Sequence, residues 1–242
     1  MPSEFSSSLP YILLAAGAGL LGGVISLFWK PNVNMRSAIQ HFAAGAVLAA
    51  VAANVIPEVE RLGTLPGIVG GFVAGVLVMI ALKWVVVRSE HSQGKQKNKF
   101  PVGLAAAAAV DTLIDGMLIS AGFSANAELG FLLAVALALE LLFLTMSVGV
   151  ELHDGKFLWW QSLAVTGGIA VLLLIGAFSA AFFLADVSEA ILAVFLSFGA
   201  AALIYLIAEE LLVENIEAEK SLFPTLTLFS GFLGLLVLKL LE

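Results

Sequence analysis

Cysteine is absent from the 242 residues, which removes disulfides, thiolate metal ligands and a cysteine nucleophile from consideration. Charge is scarce as well. Asp, Glu, Lys and Arg make up 12% of the chain, against about 25% in an ordinary soluble domain. Hydrophobic residues are 61%, so a soluble fold is excluded. No basic residue precedes the first apolar segment, where Met1–Pro10 carries Glu4 and a run of serines. That segment is about twice the length of a signal-peptide core, and it is expected to be retained as a first helix. There is no glycine-rich phosphate loop, no haem-type histidine pair and no basic patch for nucleic acid. The sequence therefore does not read as an enzyme or a nucleic-acid binder.

What is present is a series of apolar runs of membrane-spanning length, since about 20 residues at 1.5 Å rise cross a hydrocarbon core of about 30 Å. They predict an all-α polytopic membrane protein, one transmembrane domain over residues 1–242. Eight helices are expected at roughly 9–29, 37–57, 65–87, 100–122, 128–150, 158–184, 188–214 and 222–240, the fourth and fifth joined near Ser124 to Ala127. Basic residues in short loops mark the cytoplasmic side. With the N-terminus outside, the inner connections hold Lys30, Arg36, Arg88, Lys95, Lys97, Lys99, Lys156 and Lys220, and the outer side holds only Arg61 and Lys239. Both termini are thus expected outside, with residues 88–99 as the main cytoplasmic loop. Lys83, near the inner end of the third helix, snorkels to the same surface. Glycines four apart, Gly19 and Gly23 in the first helix and Gly67, Gly71 and Gly75 in the third, allow close helix packing.

Acids outnumber bases eighteen to eleven, and three of them fall inside the apolar runs. Asp111 and Glu140 each lie roughly 16 to 18 Å into their helices at 1.5 Å per residue, so both reach mid-membrane. Asp115 follows Asp111 at i+4, on the same helix face. A charged carboxylate at that depth costs on the order of 3 kcal/mol, and no basic residue shares the depth. The neutralising agent is then a proton or a cation with oxygen ligands. The bland alternative is three neutral acids hydrogen-bonded to Thr112, Ser120 or Thr145. Asp111 and Asp115 lie on one helix, which does not suit an intramembrane aspartyl protease.

Further polar residues mark the helix ends. Asn54, Pro57 and Glu58 close the second helix near the outer face, Glu209, Glu210 and Glu214 close the seventh near the inner face, and His41 starts the second at about the depth of Glu209. Polar groups above and below a central acid cluster lay out a pathway. The opposed acidic ends of the second and seventh helices suggest that helices 1–3 and 6–8 are inverted repeats around helices 4–5, a common transporter plan.

The stretches His41-Phe42-Ala43-Ala44-Gly45 to Asn54-Val55-Ile56-Pro57-Glu58, and Ile204-Tyr205-Leu206-Ile207-Ala208-Glu209-Glu210-Leu211-Leu212-Val213-Glu214, resemble the second and seventh helices of ZIP (zinc/iron-regulated transporter-like) metal transporters of the bacterial branch. The eight helices and outward termini fit the same family. The resemblance implies a ZIP-like bundle in a bacterial inner membrane that moves a divalent transition-metal cation of the zinc, iron, manganese or cadmium class toward the cytoplasm. The metal would be substrate, with no permanent cofactor, and the partners would be the lipid bilayer and a second copy in a homodimer.

The departures fall on the metal site. Where relatives carry His-Asn-x-Pro-Glu-Gly on the fourth helix, this chain reads Asp111-Thr112-Leu113-Ile114-Asp115-Gly116, the fifth helix has Leu141 and Leu144 beside Glu140, and the sixth carries no acid. One oxygen-rich site of Asp111, Asp115 and Glu140 is expected, with His41, Asn54, Glu58, Thr112, Glu209 and Glu210 along the pathway and His91 and His153 as cytoplasmic metal contacts. Carboxylate ligands suit Mn²⁺, Mg²⁺ and Ca²⁺ better than imidazole would. The rival expectations are a proton-linked transporter of another solute on the same fold, and a non-transporting membrane subunit or sensor.

Overall fold

The computed structural model describes residues 2–93, 102–184, 187–214 and 222–241, with the backbone alone at 2–7, 86–87, 89–93, 102–104 and 210–214. Among the described residues there are eight helices long and apolar enough to cross a membrane and no strand. They are α1 (Pro2–Phe28), α2 (Val33–Leu62), α3 (Leu65–Gln93), α4 (Val102–Ala125), α5 (Ala127–Asp154), α6 (Trp159–Phe183), α7 (Glu189–Glu214) and α8 (Phe223–Leu241). Helices are the form expected where hydrocarbon leaves no water to satisfy backbone groups. Asparagine starts two of them: Asn32 accepts from the Met35 amide at 2.8 Å, and Asn126 accepts from the Leu129 amide at 2.7 Å. Each cap satisfies an amide that has no partner within its helix.

Several boundaries differ from expectation. Asn126 alone joins α4 to α5, a shorter link than Ser124 to Ala127, because its side chain caps the new helix directly. The Glu151–Asp154 segment is the last turn of α5 rather than a loop, and α3 remains helical through Gln93, into the stretch read as the cytoplasmic loop. The largest difference is at Pro57, which was read as the end of the second helix. The helix instead passes through a π-helical turn at Val51–Val55 and continues over Ile56–Leu62.

The physical reason is local. Proline has no N–H, so the carbonyl four residues earlier loses its donor, and that carbonyl belongs to Ala53. The Lys239 ammonium of α8 donates to it. The defect is satisfied from another helix, and α2 need not stop.

α5 stands at the centre, with Leu132, Leu133, Leu137 and Leu141 fully buried. The broadest packing pairs are α1 with α5, α2 with α8, α4 with α6 and α3 with α7. Glycines set the closest approaches. A Cβ on Gly116 would stand 2.9 Å from the Ala177 amide nitrogen and one on Gly176 3.0 Å from the Leu113 carbonyl carbon, so α4 and α6 meet backbone to backbone. Gly45 and Gly231 form the equivalent reciprocal contact between α2 and α8. Gly71 and Gly75 seat α3 on Val194 and Phe198 of α7, and Gly19 and Gly23 seat α1 on Leu141 and Thr166.

The helix ends that carry most of the basic residues also carry all four tryptophans, Trp29, Trp84, Trp159 and Trp160, each exposed. The Arg88 guanidinium lies 5.0 Å over the Trp84 ring. Lys30 pairs with Asp154 at 2.6 Å at this end. Aromatic rings and basic side chains together are characteristic of a membrane–water interface.

Candidate functional site

The single-residue link between α4 and α5 makes them an antiparallel hairpin, and its arithmetic builds the site. Asp111 and Asp115 lie 15 and 11 residues before Asn126, and Glu140 lies 14 after it. At equal rise in both arms, Glu140 therefore falls between the two aspartates in height. Gly116 turns one side of α4 onto α6, and the acid-bearing side meets α5. Asp111, Asp115 and Glu140 each offer a carboxylate oxygen within 4.8 Å of the other two. They are the one group of three or more potential metal-ligating side chains among the described residues.

Burial is graded across the group. Asp115 is 1% exposed and Asp111 7%, while Glu140 is partly buried. Neither Asp115 oxygen has a hydrogen-bond partner among the described residues, and the same holds for the hydroxyls of Thr112 and Ser147. Ser147 lies seven residues beyond Glu140, two turns along the same face of α5. A helical threonine commonly bonds the carbonyl four residues back. Thr145 and Thr166 do so, to Leu141 at 2.8 Å and Ser162 at 3.0 Å; Thr112 does not. Buried polar atoms left unpaired cost about 1–3 kcal/mol each, and a cluster of them calls for an ion or water.

Thr145 does not serve the acids, contrary to one expectation. Its hydroxyl is spent on the Leu141 carbonyl and, across the α1–α5 contact, on the Gly19 carbonyl at 2.8 Å.

The remaining predicted residues are spread along the bundle. His41 is 5% exposed, and its Nδ1 lies 2.8 Å from the Ser37 carbonyl. A carbonyl only accepts, so Nδ1 carries a proton and donates it there. Arg36 Nε and Gln40 Oε1, on the same turns, are enclosed without a partner among the described residues. Asn54 is buried inside the π-helical turn. Glu58, 8% exposed, accepts from Arg61 Nε at 3.0 Å and Nη2 at 2.8 Å. Glu209 pairs with Lys83 of α3 at 2.7 Å. His153 is exposed on the last turn of α5. The side chains of His91 and Glu210 lie outside the described residues, as does that of Glu214.

Four residues that the sequence reading did not single out for the site matter to it. Arg61 had served only to mark topology, although its i+3 spacing from Glu58 is an ion-pair signal. Asn126 is the single-residue link of the α4–α5 hairpin and caps α5 through its oxygen. Ser147 could have been found by its spacing from Glu140. Lys239 could not, because 186 residues separate it from Ala53.

Oxygen donors on opposite sides of one divalent cation stand about 4 to 5 Å apart, twice a metal–oxygen distance of about 2.0–2.6 Å. The three carboxylates therefore lie close enough together to share one such cation. Comparison with known protein families and with characterised proteins gave no match to this chain. Its function has to be argued from the site.

Proposed function

We propose that the chain is a ZIP-like secondary transporter that moves a divalent transition-metal cation toward the cytoplasm through the Asp111, Asp115 and Glu140 carboxylates. The observation that carries this reading is their convergence within 4.8 Å at mid-bundle, with both Asp115 oxygens unpartnered among the described residues. The packing pattern adds support. Exchanging α1–α3 for α6–α8, and α4 for α5, turns the α1–α5 contact into α6–α4 and the α2–α8 contact into α7–α3, and these are the four broadest contacts in the molecule. A bundle built from inverted repeats would have this property.

In this reading the basic, tryptophan-rich ends face the cytoplasm. Asn54 and Glu58 then line the outer approach, and His41, Glu209 and Glu210 the inner exit. The donor set is all oxygen, so manganese-like cations are favoured, and zinc, iron and cadmium remain in the class to be tested.

The test is cation flux into proteoliposomes, with Mn²⁺, Zn²⁺, Fe²⁺ and Cd²⁺ in parallel. Flux should vanish in the double variant Asp111→Asn, Glu140→Gln. It should also fall as external pH falls, because protons compete with the cation for the same carboxylates. Calorimetry on the purified protein separates the rival: absence of any divalent-cation binding, with a proton-dependent flux of another solute, would overturn the metal reading.

A further inference from the structure

Around Glu58 the end of α2 meets the starts of α5 and α7. The carboxylate is buried, and it takes two charge-assisted hydrogen bonds from the Arg61 guanidinium, at 3.0 and 2.8 Å. Asn126, at the start of α5, stands beside the same carboxylate. Glu189 lies in the first turn of α7, the helix that packs on this end of α2. Arg61 itself is 57% exposed along its side chain, so the cation reaches inward from an accessible position. Asn54 lies one turn deeper than Glu58 on the same helix, about 6 Å at 1.5 Å per residue, and is also buried.

A carboxylate that lines a cation's route is a ligand for that cation. Here a cation of the chain's own already holds it. We infer that Arg61 is the outer gate of the pathway. Its guanidinium is a tethered competitor for Glu58, which closes the route above Asn54 and is displaced when an entering divalent cation takes the carboxylate. Fork geometry gives the gate its strength, since two parallel N–H···O bonds hold better than one. Arg61→Lys, with a compact ammonium in place of the fork, should leave the gate intermediate between closed and open.

The direction of the gate rests on the transport reading, but its test does not need transport. In a chain without cysteine, Asn54→Cys is the sole thiol. Its reaction with a membrane-impermeant methanethiosulfonate added from outside should be slow, and adding Arg61→Gln or Glu58→Gln should speed it about tenfold as the two charge-assisted bonds are lost. Millimolar Mn²⁺ should speed labelling when Arg61 is present and have no further effect in the Arg61→Gln background. Ala50→Cys, one turn deeper, serves as reporter if Asn54→Cys does not fold. Equal labelling rates with and without Arg61 would overturn the gate, and Mn²⁺ without effect on the Arg61 protein would overturn the exchange. Faster labelling in a protein that moves no metal would leave the gate standing and sink only the transport reading. Flux with unchanged labelling would do the reverse.

Discussion

Glu58 and Asp115 are both more than nine-tenths buried, yet the chain surrounds them differently. Glu58 receives a guanidinium fork. Asp115 receives nothing among the described residues. The same division holds further along. Glu209 has Lys83 and Asp154 has Lys30, whereas no ion pair among the described residues includes Asp111 or Asp115. Glu58, Glu209 and Asp154, at the helix ends, each have a base to neutralise them. The aspartates at mid-bundle are placed where desolvation is most costly and left open, an arrangement that stability alone does not favour.

The sharpest way to break this contrast is to neutralise Asp115. Asp115→Asn should lower flux by about a hundredfold or more, since loss even of outer-shell groups costs about 10–100-fold in metal sites. Thermal stability in detergent should be unchanged or higher, because the variant removes an unpaired buried acid. A large drop in melting temperature with flux retained would move Asp115 into the structural group.

The second test concerns Lys239. Lys239→Met should destabilise by about 1–3 kcal/mol, because the Ala53 carbonyl loses its donor. Pro57→Ala in the same chain restores an N–H four residues on and should recover most of the loss. If the double variant is no more stable than Lys239→Met, the lysine is not acting through that carbonyl. The smallest effect is expected at Lys83–Glu209, where both side chains are about a third or more exposed. Glu209→Gln should change stability by less than about 1 kcal/mol, as read by the same melting assay.

The span count and the three central acids were legible because both follow from one-dimensional rules: hydrophobic length, the i+4 spacing of Asp111 and Asp115, and equal arms about the α4–α5 turn. Thr145 was misassigned because a helical hydroxyl has its own carbonyl four residues back, and that local bond outcompetes a distant acid. Pro57 was read as a terminus because proline usually leaves a carbonyl that nothing can reach. Which lysine would reach it is a matter of tertiary packing, set by Gly45 and Gly231 drawing α8 against α2. The pairing of Glu58 with Arg61 was visible at i+3.

The contact between Lys239 and Ala53 also bears on how the protein is made. A chain entering a membrane in order places α2 long before α8 is synthesised. Until then the Ala53 carbonyl has neither the amide that proline removed nor the ammonium that replaces it, so interfacial water must serve it. Docking of α8 expels that water, closes the Gly45 and Gly231 contact and completes the backbone of α2 in one event. A helix inserted early is thus finished only by one inserted late.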